Sequence, residues 1–151
     1  MLPDFSLFGT SGDGAGQGFQ PSGVTCAAGT NPCLAYQVTY SVPVGTYMAS
    51  GFALFSQDNE QQELDLTVPQ VTVAGDTGFT VNANAARQLT VATPRASYPV
   101  ALALEAYRML PDATFAENFS FITYGWQRAW VIPSRPVTVG AFDYSSSWIL
   151  Y

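Results

Sequence analysis

Short runs of alternating apolar and polar residues, separated by turn residues, fill the stretch 42–95 and constrain the fold more than any other feature. Residues 46–55 are apolar at nearly every position, which predicts a strand covered on both faces. Pro43-Val44-Gly45 before this strand and Gly75-Asp76 further on are turn sequences. Shorter strands are predicted at 66–68, 71–74, 79–82 and 89–92. The stretch therefore predicts β-strands joined by tight turns.

The same period of two continues on both sides of this stretch. Residues 36–42 alternate, and residues 98–108 place Val100, Leu102 and Leu104 on one face. The composition of 98–108 also suits a helix, but Pro99 and the clean alternation favour a strand. Further strands are predicted at 115–124, 126–132, 137–144 and 147–151. The chain is therefore predicted to be all-β, with a Greek-key-like antiparallel β-sandwich of transthyretin-like or jelly-roll-like type.

Residues 1–33 form a separate region that is rich in glycine and serine. Its GTSGDGAGQG run is predicted to form neither a helix nor a stable strand, because glycine loses much conformational entropy on ordering. The region is either a flexible arm or an arm that orders against a partner subunit through Phe5, Phe8 and Phe19. The predicted organisation is an arm over 1–33 and a single sandwich domain over 34–151.

The two cysteines of the chain, Cys26 and Cys33, flank the turn-forming sequence AAGTNP. A disulfide between them would close a short loop and is the favoured prediction. Two unpaired thiols are the alternative, and a metal site lacks further Cys or His ligands. An oxidised pair would imply an extracellular protein or one on a particle or cell surface.

Charge is scarce in this sequence and limits the possible partners. Charged residues make up 11% of the chain, the net charge is −6, and the five cations are scattered arginines with no lysine. Nucleic acid and anionic membranes need clustered basic residues, so neither is an expected partner. No apolar run approaches the length of a membrane-spanning helix, so membrane insertion is not expected. A surface so poor in charge favours packing against other protein subunits, as in a homo-oligomer or a larger assembly.

The common catalytic side chains are missing from the sequence. Without histidine there is no Ser-His-Asp or Cys-His site and little basis for a zinc site. Without lysine there is no Schiff base and no phosphate-binding P-loop. Glu105 is the only carboxylate inside a strand-like apolar run, and an outward-facing position explains it. No enzyme activity and no cofactor are therefore predicted.

The segment SQDNEQQELD, residues 56–65, is the one densely acidic part of the chain. It is predicted to be a solvated loop. A weak alternative is a calcium site formed by Asp58, Asn59 and Glu60, since carboxylate and amide oxygens suit this ion. The EF-hand pattern is absent.

Aromatic residues concentrate in the second half of the chain. Packing in the core and at subunit interfaces is the main prediction for them, and a platform for stacking carbohydrate is the alternative. The candidate interface or binding residues, taken with those of the arm, are Phe5, Phe8, Phe19, Trp126, Trp130, Trp148 and Tyr151. The possible sugar platform also includes Tyr107 and Tyr144.

Residues 42–96 resemble a module found downstream of the catalytic domain in secreted subtilisin-like serine peptidases of the actinobacterial type. The resemblance rests on Val42-Pro43, Gly45-Thr46-Tyr47, Val68-Pro69, Thr72-Val73, Asp76-Thr77, Thr80-Val81, Ala86-Arg87 and Thr93-Pro94-Arg95-Ala96, and Asn82 stands where the family tends to have Asp. It covers about a third of the chain and has no counterpart of the peptidase triad. The corner PVGTY also resembles transthyretin-like and collagen-adhesin repeat sandwiches. What the resemblance implies is an accessory β-sandwich.

Two functions are expected from these observations. The first is a non-catalytic structural protein that packs on copies of itself or on a larger scaffold, as coat, virion-decoration or surface-layer subunits do. The second is an accessory protein- or carbohydrate-binding module of a secreted subtilisin-like enzyme.

Overall fold

The computed structural model describes residues 4–27, 33, 35–57, 59–112, 114–124 and 128–151. Within these residues the protein is all-β, as predicted, with one short 3-10 helix at Ala83–Ala85. The strands in chain order are β1 (Asp4–Gly12), β2 (Gly18–Phe19), β3 (Gly23–Cys26), β4 (Tyr36–Thr39), β5 (Gly45–Gln57), β6 (Glu60–Asp65), β7 (Val68–Val73), β8 (Arg87–Gln88), β9 (Pro99–Met109), β10 (Phe115–Tyr124), β11 (Arg128–Val131) and β12 (Ala141–Leu150). No helix in the described part of the chain has the length and apolar character needed to cross a membrane.

The strands form three sheets. The largest has seven strands in the order β2-β1-β5-β6-β11-β8, with β7 also paired to β5. A three-stranded sheet has the order β10-β9-β12, and β3 and β4 form a hairpin. The pairing of β6 with β11 is parallel, and the other pairs are antiparallel. The Greek-key sandwich topology stays a prediction.

Strand β5 is the centre of the seven-stranded sheet. Along one side it pairs with β1, from Gly45 to Phe52. On the other side β7 pairs with its first half and β6 with its second half. Residues 46–51 are all buried, which confirms the predicted strand and its two covered faces over this half, whereas Leu54 and Phe55 are 36% and 38% exposed.

Two apolar clusters hold the sheets together. The first contains Phe5, Leu7, Tyr47, Ala49 and Val71, which come from β1, β5 and β7. The second contains Leu102 and Leu104 of β9 and Ala129 of β11, with Leu89, Val131, Tyr144 and Trp148 packed against them. Because β9 and β11 belong to different sheets, this second cluster packs the three-stranded sheet against one face of the seven-stranded sheet.

Residues 4–12 do not form the predicted arm. Residues 4–12 are a strand within the seven-stranded sheet, and Phe5 and Leu7 lie in the first apolar cluster. Their burial offsets the entropy cost of the glycines. The glycines serve the strand where it bends: Gly12 has a φ of +81°, and a Cβ there would lie 2.6 Å from the Val44 carbonyl oxygen. The prediction that GTSGDGAGQG contains no stable strand was therefore wrong for residues 9–12.

Two other strand predictions were wrong, and those at 98–108 and 115–124 were confirmed. Residues 79–82 and 89–92 are not strands, and β8 between them has only two residues. Residues 74–99 are exposed apart from three partly buried positions, Val81, Ala86 and Leu89. Residues 79–82 pair with no strand of the described part, and pairing with β11 ends at Leu89, whose N–H donates to the Ala129 carbonyl oxygen at 2.8 Å. The predicted strand at 98–108 is β9, and the two predicted C-terminal strands are one strand, β12.

Candidate functional site

The predicted interface phenylalanines pack within this chain. Phe5 is in the first cluster, and Phe19 packs edge-on against Tyr47 with ring centroids 5.7 Å apart. Phe8 is half-buried on β1. The part of 1–33 that is described therefore uses its aromatic residues to complete the chain's own sheet.

The C-terminal aromatic candidates have different environments. Trp130 is half-buried, and its Nε1 donates a hydrogen bond of 2.6 Å to Gln62 Oε1. Trp148 is half-buried beside the second cluster. Tyr151 is 76% exposed and stacks on Tyr98 at a centroid distance of 6.2 Å. Trp126 lies outside the described residues. Of these residues, Trp148 and Tyr151 are placed where a ligand or partner can reach them.

The cysteine sulfurs lie 2.12 Å apart, at disulfide-bonding distance, with the Cα atoms 5.8 Å apart. They close the loop between β3 and β4, which pair in antiparallel fashion on either side of it. The Cys26–Cys33 pair is therefore positioned as a staple for this hairpin.

The calcium alternative gains no support at the two candidate positions that are described. Glu60 Oε2 forms an ion pair with Arg128 Nε at a distance of 2.9 Å. Asn59 has a φ of 65°, in the left-handed region. Asp58 lies outside the described residues. No group of three or more His, Cys, Asp or Glu side chains within the described residues could hold a metal ion.

The acidic segment is not the solvated loop that its composition predicts. Most of it forms β6, which is paired to β5 on one side and β11 on the other. Gln62, Glu63, Leu64 and Asp65 are all buried, so both faces of this strand are covered. Glu63 and Asp65 point to the same face as Ala129 and Val131, which is the face that meets the three-stranded sheet.

The two buried carboxyl groups differ in their hydrogen bonding. Asp65 is fully buried, and its Oδ1 accepts hydrogen bonds from Thr67 N at 2.8 Å and Thr67 Oγ1 at 2.6 Å. Its Oδ2 accepts a hydrogen bond from the Tyr144 hydroxyl across the sheet interface. Glu63 is 6% exposed and has no hydrogen-bond partner among the described residues. The Asp65 carboxylate is therefore satisfied by donors, while the Glu63 carboxyl is not.

This difference determines which group keeps its proton. Burial, together with the nearby Asp65 carboxylate, raises the pKa of Glu63 to about 7. Burial also raises the pKa of Asp65, and the hydrogen bonds from Thr67 and Tyr144 act against that rise. Burial and the Asp65 carboxylate raise the pKa of the Tyr144 hydroxyl as well, so that it stays a donor. We therefore assign the retained proton of this pair to Glu63.

The buried acidic pair contributes to the packing of the two sheets rather than to a site for substrate. Neither Glu63 nor Asp65 lines either of the two clefts described in this structure. Sequence reasoning missed the pair because the density of charge indicates a loop. The signal that could have found it is the alternation in ELDL, which places both acids on one face and both leucines on the other.

The outer face of the three-stranded sheet, defined as the face turned away from the seven-stranded sheet, is apolar at one end. Across the three strands, Ala101 of β9 lies opposite Tyr124 of β10 and Ile149 of β12, which gives a first row of residues. In the next row, Ala103 of β9 lies opposite Ile122 of β10 and Ser147 of β12. Ile122 and Ile149 are 61% and 60% exposed. The exposed Tyr98–Tyr151 stack lies beside the first row, at the end of β9 and β12. These residues form a contiguous apolar surface, which we call the apolar half of the outer face.

The other end of the outer face is acidic. Glu105 and Tyr107 lie on β9, and Asp143 lies opposite Tyr107 on β12. The Tyr107 hydroxyl donates to Glu105 Oε2, and this hydrogen bond, with the neighbouring carboxylates, raises the pKa of Tyr107. The predicted outward position of Glu105 agrees with this arrangement. The outer face therefore has an apolar half and an acidic half.

Both outer strands of the same sheet have a free edge within the described residues. β10 and β12 each pair only with β9 there. β12 has ten residues, contains neither lysine nor proline, and carries one charge, Asp143. Lysine, proline and short length are the usual protections of an edge strand, so this edge is open to pairing with another chain.

A cleft of about 300 Å³ lies where the two sheets separate. Leu102, Ala129 and Thr123 are its buried lining residues, and Leu89 and Trp148 are half-buried in it. Its exposed lining residues include Gln88, Tyr124 and Arg128.

Comparison with known proteins gives no relative from which a function could be transferred. No protein-family model matches the chain, and no curated protein or solved structure matches it.

Proposed function

We propose that this chain is a non-catalytic structural protein that packs on copies of itself or on a larger protein scaffold, as a coat, virion-decoration or surface-layer subunit does. The observation that carries the proposal is the apolar half of the outer face. Its exposed residues are Tyr98, Ile122, Tyr124, Ile149 and Tyr151. Single exposed apolar residues are ordinary, but a contiguous group of large ones on a sheet face is typical of an interaction surface.

The composition supports the same proposal. Charged residues make up 11% of the chain, so few charges surround the apolar half or oppose association. Tyrosine is enriched at protein interfaces because its ring buries a large area while its hydroxyl remains solvated or hydrogen-bonded.

The acidic half of the outer face favours one arrangement of two copies. If two apolar halves met about a twofold axis through that half, the acidic groups Glu105 and Asp143 of each copy would lie at opposite ends of the interface. Such an arrangement avoids placing like charges against each other. The free edge of β12 offers a second route for contact in the same assembly.

We also propose an extracellular location, or one on the surface of a particle or cell. The cysteine sulfurs lie at bonding distance, and a disulfide persists in an oxidising environment. Intact-mass measurement before and after reduction would test this pairing.

Replacing Ile149 by aspartate is expected to weaken self-association at least ~30-fold, since a charge in the centre of an apolar contact costs about 2 kcal/mol or more. Size-exclusion chromatography with light scattering would measure the change in oligomer mass with concentration. Val91→Asp is the matched control, because Val91 is 38% exposed and lies on the irregular stretch 74–99. A wild-type chain that is monomeric at its highest soluble concentration would contradict packing on copies of itself.

A second candidate is an accessory module of a secreted subtilisin-like peptidase. The observation that favours it is the exposure of residues 76–96, which carry most of the resemblance to that module. An exposed surface of this kind suits contact with a neighbouring domain. The intact mass of the protein isolated from its natural source would show whether a peptidase domain belongs to the same polypeptide.

A further inference from the structure

We propose that the cleft between the two sheets is a binding site for a neutral saccharide. This inference does not depend on the assembly proposal, because the cleft and the apolar half of the outer face share only Tyr124 at the rim and Ala101. Three properties of the cleft indicate this ligand: an aromatic wall, polar groups inside and beside it, and a rim whose two charges compensate each other.

The aromatic wall is formed by Trp148 of β12. Its side chain lines the cleft while packing beside Leu102, Leu104 and Ala129. Its Nε1 lies 3.4 Å from Ser146 Oγ, a long contact that leaves the N–H weakly engaged. Sugar rings present C–H faces that pack on an indole, and the hydroxyl groups around the ring need separate polar partners.

Polar partners are available inside and beside this wall. Thr123 is 2% exposed and lines the cleft, and its hydroxyl can both donate and accept a hydrogen bond. Gln88 on β8 is exposed, and its amide offers both donors and an acceptor at the cleft. A buried hydroxyl gains from a ligand that can both donate and accept, which a sugar hydroxyl does.

The charges at the rim indicate a neutral ligand. Arg128 Nε and Glu60 Oε2 form an ion pair of 2.9 Å, so the two charges of the rim compensate each other. An anionic ligand would also meet the net charge of −6 of the whole chain. The guanidinium can still donate, and the carboxylate can still accept, hydrogen bonds at the edges of a sugar ring.

An entirely apolar ligand fits the cleft less well than a saccharide. It would cover the Thr123 hydroxyl and the Gln88 amide without replacing their bonds to water, which costs free energy for each group. The volume of about 300 Å³ is at the small end for ligand sites, which suits a mono- or disaccharide unit.

The test is a two-dimensional NMR titration of the full chain labelled with ¹⁵N. The probes are the methyl glycosides of glucose, galactose, mannose and N-acetylglucosamine, followed by their disaccharides. We expect saturable shifts of the Trp148 indole N–H, the Gln88 side-chain amide and the Thr123 backbone amide for at least one sugar. Trp148→Ala is expected to weaken that binding at least tenfold, and Gln88→Ala about threefold to tenfold.

Three variants keep the outcome interpretable. Gln88→Ala changes an exposed residue and leaves the apolar cluster intact, so it serves even if Trp148→Ala disturbs folding. Tyr151→Ala removes an exposed aromatic residue outside the cleft and is expected to leave the affinity unchanged. Ile149→Asp is expected to retain sugar binding, which separates this proposal from the one on assembly.

The proposal is overturned if no sugar in the panel produces saturable shifts at the three named groups. It is also overturned if a sugar binds but Gln88→Ala and Trp148→Ala both leave the affinity unchanged, or if only Tyr151→Ala reduces it. The last result would place the binding on the Tyr98–Tyr151 stack instead of the cleft.

Discussion

Replacing Glu63 by glutamine is expected to stabilise the protein above pH 7 by up to about 3 kcal/mol, while changing its stability little at pH 4.5 and below. This gain in stability follows from the pKa of Glu63, which rises from an ordinary 4.5 to about 7 in the folded protein. Each pH unit between the folded and unfolded pKa values corresponds to about 1.4 kcal/mol. Glutamine is close in size and neutral at every pH, so it keeps the favourable form of the side chain.

Stability decreases with rising pH because the folded protein favours the protonated form of Glu63. Because the folded protein raises this pKa, it binds the proton more tightly than the unfolded chain does. The contribution of Glu63 is therefore fully present below the unfolded pKa of 4.5. It is lost as the pH rises towards the folded pKa of about 7, and above that the buried carboxylate remains as a constant penalty. Burial raises the pKa of Asp65 in the same direction, so the variant keeps part of the pH dependence.

Urea unfolding of the wild type and Glu63→Gln at pH 4.5, 6, 7 and 8 would measure this effect. Glu60→Gln is the matched control, because Glu60 lies on the same strand with a side chain 43% exposed and paired with Arg128. An exposed ion pair contributes about 0–1 kcal/mol, so this control should show no comparable gain above pH 7. A Glu63→Gln protein that is no more stable than the wild type at pH 8 would refute the assignment of the proton.

The contrast between β5 and β6 shows what local sequence can predict in this chain. Residues 46–55 are apolar at nearly every position, and that pattern alone predicts a strand with two covered faces, as the buried residues 46–51 have. The burial of β6 depends on β11, on the parallel pairing between them, and on Tyr144, all more than sixty residues away in the chain. The composition of residues 56–65 gives no information about partners so distant in the chain, so this acidic segment is predicted to be a loop.

The same limit explains the errors of strand assignment. Residues 4–12 are rich in glycine, yet they pair along β5 because Phe5 and Leu7 fit its apolar face. Residues 90–92 have high strand propensity, yet they are exposed because the pairing with β11 ends at Leu89, whose N–H donates to the Ala129 carbonyl oxygen at 2.8 Å. In both segments, the presence or absence of a neighbouring strand determines whether a strand forms. The strand propensity of one segment does not show whether a distant segment will pair with it. The exposed face of the three-stranded sheet could not be predicted for a related reason. The seven-stranded sheet determines which of its two alternating faces is buried.

Arg108 has the most unusual environment of the cations in the described part of the chain. It lies on the inner face of β9 and is fully buried. Its Nη1 donates to the carbonyl oxygens of Ala141 at 2.8 Å and Met109 at 3.2 Å, and its Nη2 donates to the Val139 carbonyl oxygen at 2.5 Å. Burial lowers the pKa of Arg108, but a guanidinium remains charged across the ordinary pH range.

These hydrogen bonds connect Arg108 to the turn that begins β12. Gly140 lies between two of the accepting residues and has a φ of +66°, a conformation that favours glycine. The carbonyls on either side of it, those of Val139 and Ala141, therefore converge on one guanidinium. A single planar group with several fixed donors can satisfy three carbonyls at once, and an ammonium group cannot reproduce that geometry.

Arg108→Ala is expected to destabilise the protein by about 3–5 kcal/mol, because it leaves a large cavity and removes the donors of three part-buried hydrogen bonds. Arg108→Met separates the two causes, since methionine restores most of the volume without any donor. If the hydrogen bonds dominate, the methionine variant should lose at least half as much stability as the alanine variant in urea unfolding. Arg135→Ala, a change at an exposed residue, should cost no more than about 0.5 kcal/mol. A methionine variant as stable as the wild type would show that Arg108 acts by filling space, and that the turn at Gly140 holds β12 in place without it.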